Sequence, residues 1–279
     1  MKIKILSILF LAVTLTVSAQ EGDSVLKSKA GIPILPKKGD WAIGASALPY
    51  LEYLGNMFNN TQNNTLKLGN TTLYGRYFLE DSKALRFALS ISQSSNLQKF
   101  YVADDAALYK DPLSNAKTED SYKRNLTDYT FNIAYLKYRG YGRLQGFCGA
   151  QAGFGFSRTH TYYTYGNPFS TDNTAPTTYN GRLSERVLES DNGITYSVNV
   201  GALAGVEYYF LPKICIGGEI SLSLSNRWKT QGNSTYERMN NSVVEEFDIA
   251  DSPKQRVNTS LTTSRPVNYG GSLYLMFHF

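Results

Sequence analysis

After residue 19 the chain has no apolar run long enough to form a membrane-spanning helix, which needs about 20 residues. Histidine and cysteine are scarce, at two each, and methionine occurs four times. No Cys/His spacing suits zinc, no glycine loop would cradle a phosphate, and no basic stripe is long enough for nucleic acid. That leaves His160 and His278 as the ordinary carriers of acid–base chemistry. His160 stands where a strand pattern gives way to a Tyr/Thr-rich stretch, with Ser157 and Asp172 in the neighbourhood. A histidine in such a setting is more often a loop residue than a base. His278, next to the C-terminus, reads as a rim residue. We therefore assign no catalytic residue, metal ligand or cofactor, and the expectation is that the protein is not an enzyme.

Tyrosine, glycine and phenylalanine are plentiful, at 21, 23 and 14. Mean hydropathy is −0.30, a value typical of soluble proteins. A membrane barrel escapes that test, because only every second residue of a strand faces lipid. Tyrosine at this level also suits interfacial belts, where a ring sits half in lipid and half wet.

Residues 1–19 read as a secretory signal. Lys2 and Lys4 precede an apolar stretch from Ile5 to Val17, and Val17, Ser18 and Ala19 form a small-residue cleavage site. Cleavage would remove two lysines and no acid, taking the formal charge from +5 to +3. Residues 20–39, with Pro33, Pro36 and four lysines, read as a periplasmic N-terminal arm. Residues 40–279 read as one domain.

That domain carries eight segments of period-two alternation: 41–53, 71–79, 85–94, 129–138, 144–158, 194–210, 214–227 and 267–279. In the sixth, Tyr196, Val198, Val200, Ala202, Ala204, Val206, Tyr208 and Phe210 share one face. Pro49, late in the first, implies a bulge or rim. Short links at 80–84, 139–143 and 211–213 alternate with long polar ones at 54–70, 95–128, 159–193 and 228–266. The last segment ends on Phe279, an aromatic terminus that a water-facing edge strand seldom carries.

Those features resemble the small eight-stranded outer-membrane β-barrel family. Gly39-Asp40-Trp41, Leu51-Glu52-Tyr53-Leu54-Gly55-Asn56 and Tyr74-Gly75-Arg76-Tyr77-Phe78 are similar to its first two strands, and the likeness covers about residues 33–279. It implies an all-β fold: a single closed antiparallel eight-stranded transmembrane barrel with short periplasmic turns and four long outer loops. It implies an outer-membrane location with both termini in the periplasm. It also implies contact with outer-membrane lipid and lipopolysaccharide, and with barrel-assembly machinery that reads Phe279. A soluble barrel of lipocalin type would turn the apolar face inward instead. The terminal phenylalanine, the link alternation and charges on the non-apolar face favour the membrane form.

With lipid assigned to the apolar parity, Arg76, Arg86, Glu207 and Glu219 point inward. Arg76 and Arg86 lie five residues either side of Asp81, and the two glutamates six either side of Lys213, so all four should share a height. The spacing predicts a luminal cluster of two arginines facing two glutamates, with Gln151, Asn199, Ser90 and Ser221 as polar infill. An eight-strand interior is just wide enough to be filled by side chains, so a plug is favoured over a gate. Cys148 has lipid parity and Cys215 lumen parity two strands away, which predicts two free thiols. Aromatic girdles are expected from Trp41, Tyr77, Tyr208, Phe210, Phe277 and Phe279 at one rim, and from Tyr129, Phe156, Tyr196, Trp228 and Tyr269 at the other. The functional expectation is a plugged barrel with a structural or interaction role, through outer loops that suit a protein or glycan partner and through no nucleic acid. A narrow porin-like channel is the alternative, followed by a surface enzyme or an accessory barrel of a secretion complex.

Overall fold

The computed structural model describes residues 26–47, 70–263 and 272–279. Thirteen β-strands and one short helix follow in order: β1 Trp41–Ser46, β2 Asn70–Glu80, β3 Lys83–Ala103, α1 Asp105–Lys110, β4 Lys117–Tyr141, β5 Leu144–Thr164, β6 Thr177–Thr178, β7 Gly181–Arg182, β8 Glu185–Leu211, β9 Ile214–Lys229, β10 Gly232–Asn240, β11 Val243–Ser252, β12 Gln255–Thr263 and β13 Ser272–His278. Every pairing is antiparallel. The pairings return on themselves through β8, β5, β4, β3, β2, β1, β13 and β9, and β9 pairs again with β8. The result is a ring of eight strands with no free edge at that level.

Three two-residue turns close one end of the ring, between Glu80 and Lys83, Tyr141 and Leu144, and Leu211 and Ile214. Two of them use left-handed backbone, at Gly142 (φ 60°) and Lys213 (φ 59°), as tight hairpins whose twist matches their strands require. At the other end the strands run far past the ring. β4 has 25 residues and β8 has 27, where a membrane strand needs about 9–11.

The extension corrects the expectation of long irregular loops. β3 and β4 stay paired through Ala103 and Lys117, so most of 95–128 is a hairpin, closed by α1. β9 and β10 pair successive stretches of β8 in one direction, and β11 and β12 likewise follow β10 and β9. The predicted seventh and eighth strands are thus single interrupted paths, and most of 228–266 belongs to them. They meet at a hairpin whose central residues, Asn241 and Ser242, both have positive φ (49° and 66°). Where β8 changes partner from β9 to β10, Gly193 adopts φ 77°, and a Cβ there would come within 2.7 Å of the Thr230 carbonyl oxygen. Segment 159–193 holds the continuation of β5, the small β6–β7 hairpin and the start of β8. Residues 54–69, Pro49 and Tyr269 lie outside the described residues.

Parity sorts the ring as period two demands. Between the rims the outward face carries residues such as Ile43 (62% exposed), Val200 (57%) and Ile220 (61%). The inward face carries the buried charges and most of the buried aromatics. The N-terminal arm is folded against the turn end. Ile34 is buried there, its carbonyl accepting from Lys213 N and its N–H donating to Leu26 O. Lys213 Nζ also pairs with Asp40 Oδ2 at 2.7 Å.

A candidate site inside the ring, and a folded head beyond it

The ring brings the four inward charges together in two layers. Arg76 and Arg86 are direct cross-strand partners on β2 and β3. Nearer the turns, Arg76 Nη1 donates to Glu207 Oε1 at 2.6 Å, with both side chains fully buried. Tyr274 donates its hydroxyl to the same oxygen at 2.6 Å, and Tyr209 donates to Oε2 at 3.1 Å. The Arg76 guanidinium lies 5.6–5.9 Å from the ring centres of Tyr138, Phe147 and Tyr274. One layer further on, Arg86 pairs with Glu219 and donates to Gln151 Oε1 at 3.0 Å. Gln151 in turn donates to Ser223 Oγ at 2.9 Å. Higher still, the Thr72 and Ser90 hydroxyls share a hydrogen bond of 2.9 Å.

A lone charge in this interior would be costly, so each carboxylate is matched by an arginine and by neutral donors. The sequence pattern missed the aromatic packing around the pairs. Phe78, Tyr138, Phe147, Tyr209 and Tyr274 all lie in one buried cluster with Ile34 and Met276. Their inward parity was the available signal, and polar infill was expected in their place. At this level the inward side chains pack against one another and are almost fully buried.

The remaining candidates fall elsewhere. His160 stands outside the ring on the β5 extension, with Nε2 2.5 Å from Glu189 Oε1 but making no hydrogen bond there. Its acidic neighbours are Glu189 and its cross-strand partner Asp191, rather than Asp172. His278 is buried at the turn end, its Nδ1 3.1 Å from Lys213 O and its ring between Phe78 and Tyr209. Cys148 is exposed and Cys215 buried, and both are free. Phe279 is 69% exposed beside Trp41, with which it exchanges two backbone hydrogen bonds.

Beyond the ring, residues 165–184 fold onto the face of the β3–β4 hairpin that continues the ring's inner surface. Asp120, fully buried on β4, accepts from Gly166 N (2.9 Å) and Tyr179 N (3.0 Å). Asn167 accepts from Asp105 N and donates to the carbonyls of Ala103 and Thr177. Arg186 is sandwiched between Tyr165 and Phe169, 4.4 and 4.6 Å from their ring centres, and pairs with Glu237 at 2.7 Å. Phe100 stacks on Tyr179 at 4.7 Å. Burial pushes the Tyr165 hydroxyl far above its usual range. Asp105 is held below the usual carboxylate range: partial burial opposes this, but hydrogen bonds from Thr177 and Asn173 and the charge of Arg182 outweigh it. The result is a folded head with its own buried polar network. Among the described residues no group of three or more His, Cys, Asp or Glu could hold a metal.

No protein-family model matches the sequence, and no curated protein matches it. Among solved structures the chain is similar to the outer membrane protein OprG from Pseudomonas aeruginosa. The identity is 9%, over 88% of this chain and 98% of that one, and the TM-score is 0.31. A likeness that loose assigns nothing to this chain.

Proposed function

We propose that the chain is an integral outer-membrane β-barrel with a plugged lumen, presenting a rigid head outside the cell. One observation carries this reading: the outward face is apolar from the upper aromatic rim down to a basic band beside the turns, Lys137 and Arg139 on β4, while paired arginine and glutamate side chains are buried inside. On β8 the rims are Tyr208 and Tyr196, twelve residues apart. At about 3.3 Å per residue and a tilt near 40° they stand about 30 Å apart along the axis, the thickness of a hydrocarbon core. Tyr129, Phe156, Tyr196 and Trp228 follow one another as direct cross-strand partners, a continuous upper girdle over four strands. Trp41 and Tyr77 pack at 4.7 Å in the lower one. Water facing so much exposed apolar surface would drive aggregation; lipid is the solvent that suits it.

The short turns and the folded arm then face the periplasm, as does Phe279, the residue offered to barrel-assembly machinery. The head faces outward, where it meets lipopolysaccharide and presents its surface to a protein or glycan. The role is structural or interactive and non-catalytic, with the two ion-pair layers holding the lumen shut. The test is reconstitution in lipid vesicles. A folded, heat-modifiable barrel that leaves small sugars and ions trapped supports the reading. Solute flux at the rate of an open pore favours the porin-like alternative.

A further inference from the structure

The turn end of β4 carries an uncompensated basic column on its outward face. Tyr135, Lys137, Arg139 and Tyr141 alternate there, all exposed, with the two cations between two tyrosines. Neither Lys137 nor Arg139 has an ion-pair partner among the described residues. Lys83 stands directly across from Lys137 on β3, its own charge engaged by Glu80 at 2.8 Å. Like charges placed opposite each other destabilise a sheet, and an anion between them would reverse that cost.

The surface beside this column is shaped as well as charged. Lys137 pairs with Cys148 on β5, and Arg139 with Gly146, where no side chain fills the space. From there the outward residues are small: Gly146, Cys148, Ala150 and Ala152 on β5, and Ala202 and Ala204 beside them on β8. Larger side chains wall this trough on both sides, Ile133 and Tyr135 from β4 and Ile220 and Leu222 from β9. Phe154, 44% exposed, closes its far end. Two cations therefore sit at the mouth of an apolar trough that runs up the strand direction.

We infer that this surface binds one anionic glycerophospholipid, its phosphate held by Lys137 and Arg139 and an acyl chain lying along the β5–β8 trough. The inference rests on the membrane reading above, which puts the column at the level of the inner-leaflet headgroups. Charge complementarity selects an anionic lipid over a zwitterionic one, and the apolar trough selects a whole lipid over a soluble phosphate. The cations lie on the strand face at the edge of the apolar belt, a position that suits a headgroup better than a periplasmic protein.

Native mass spectrometry of the full folded chain, released from detergent with equimolar dioleoyl phosphatidylglycerol and phosphatidylcholine, tests this. The expected result is a retained phosphatidylglycerol adduct in clear excess over phosphatidylcholine. Lys137→Gln/Arg139→Gln should reduce that preference about tenfold or more, given what a basic group contributes beside an anionic surface. Ala150→Leu should weaken the adduct while leaving both cations in place. Equal retention of the two lipids, or a preference untouched by the double substitution, overturns the inference. So does glycerol phosphate binding as well as the intact lipid. Heat-modified migration on a gel confirms that each variant is folded, and the single Lys137→Gln replaces the pair if it is not. A wild-type chain that fails to enter phosphatidylcholine vesicles would instead contradict the membrane reading itself.

Discussion

Removing Glu207 probes the plug most sharply. Its two oxygens accept from Arg76, Tyr274 and Tyr209, and all four side chains are almost completely shielded from solvent. Glu207→Ala would leave the Arg76 guanidinium buried with no counter-charge, and breaking one side of such a pair costs about 3–5 kcal/mol. Two tyrosine hydroxyls would also lose their acceptor, each worth about 1 kcal/mol unless water replaces it. Arg76 Nε already lacks a protein partner, so the arginine has few donors satisfied elsewhere. Urea unfolding in lipid vesicles, followed by the fluorescence of Trp41 and Trp228, should report a loss near the upper end of that range. The double substitution Arg76→Met/Glu207→Leu removes both charges and should recover most of the loss, because an apolar pair of similar volume can replace a buried ion pair. A single substitution costing under about 1 kcal/mol would mean that the pair behaves as an exposed surface pair and does not hold the interior together. A double substitution no better than the single one would mean that the stranded charge is not the source of the loss.

The head and the thiols give further expectations. Asp105 has a lowered pKa in the folded head, so its contribution is present above the unfolded carboxylate value and is lost as pH falls through the lower folded one. Protection of the 165–184 amides, measured relative to their intrinsic exchange rates, should therefore fall as pH drops below the ordinary carboxylate value near 3.9, and Asp105→Asn should remove that response. Asp120→Ala strands the Gly166 and Tyr179 amides and should cost about 1–3 kcal/mol locally, read as faster proteolysis within 165–184 while the ring stays protected. Maleimide should label both Cys148 and Cys215 after denaturation, as two free thiols require, and should leave Cys215 unlabelled in the folded protein, where it is buried.

The ring was legible in the sequence because each of its strands separates two unlike environments. Val198 to Phe210 on β8 and Leu85 to Ile91 on β3 keep that contrast, and the same parity turned Arg76, Arg86, Glu207 and Glu219 inward. The structure carries all four to one end of the interior, as two separate pairs at successive levels. The extension was illegible for the converse reason. From Gln93 to Phe100 both faces of β3 are polar or mixed, so alternation fades and a strand reads as a loop. The head's network was hidden by distance along the chain: Asp120 meets Tyr179 and Asn167 meets Ala103, contacts that no spacing rule anticipates. The aromatic packing around Arg76 had the right parity, and expecting polar infill obscured it.

The claim on which everything else depends is that even-numbered residues of β8 face lipid and odd-numbered ones face a closed interior. Nitroxide labels placed singly from Val198 to Val206 in a reconstituted, cysteine-free background measure this directly. Labels at 198, 200, 202, 204 and 206 are expected to collide with oxygen and not with a water-soluble nickel complex, while intervening positions are shielded from both. Even positions open to the nickel complex, with odd positions shielded, would mean that the apolar face meets water and would contradict the membrane barrel.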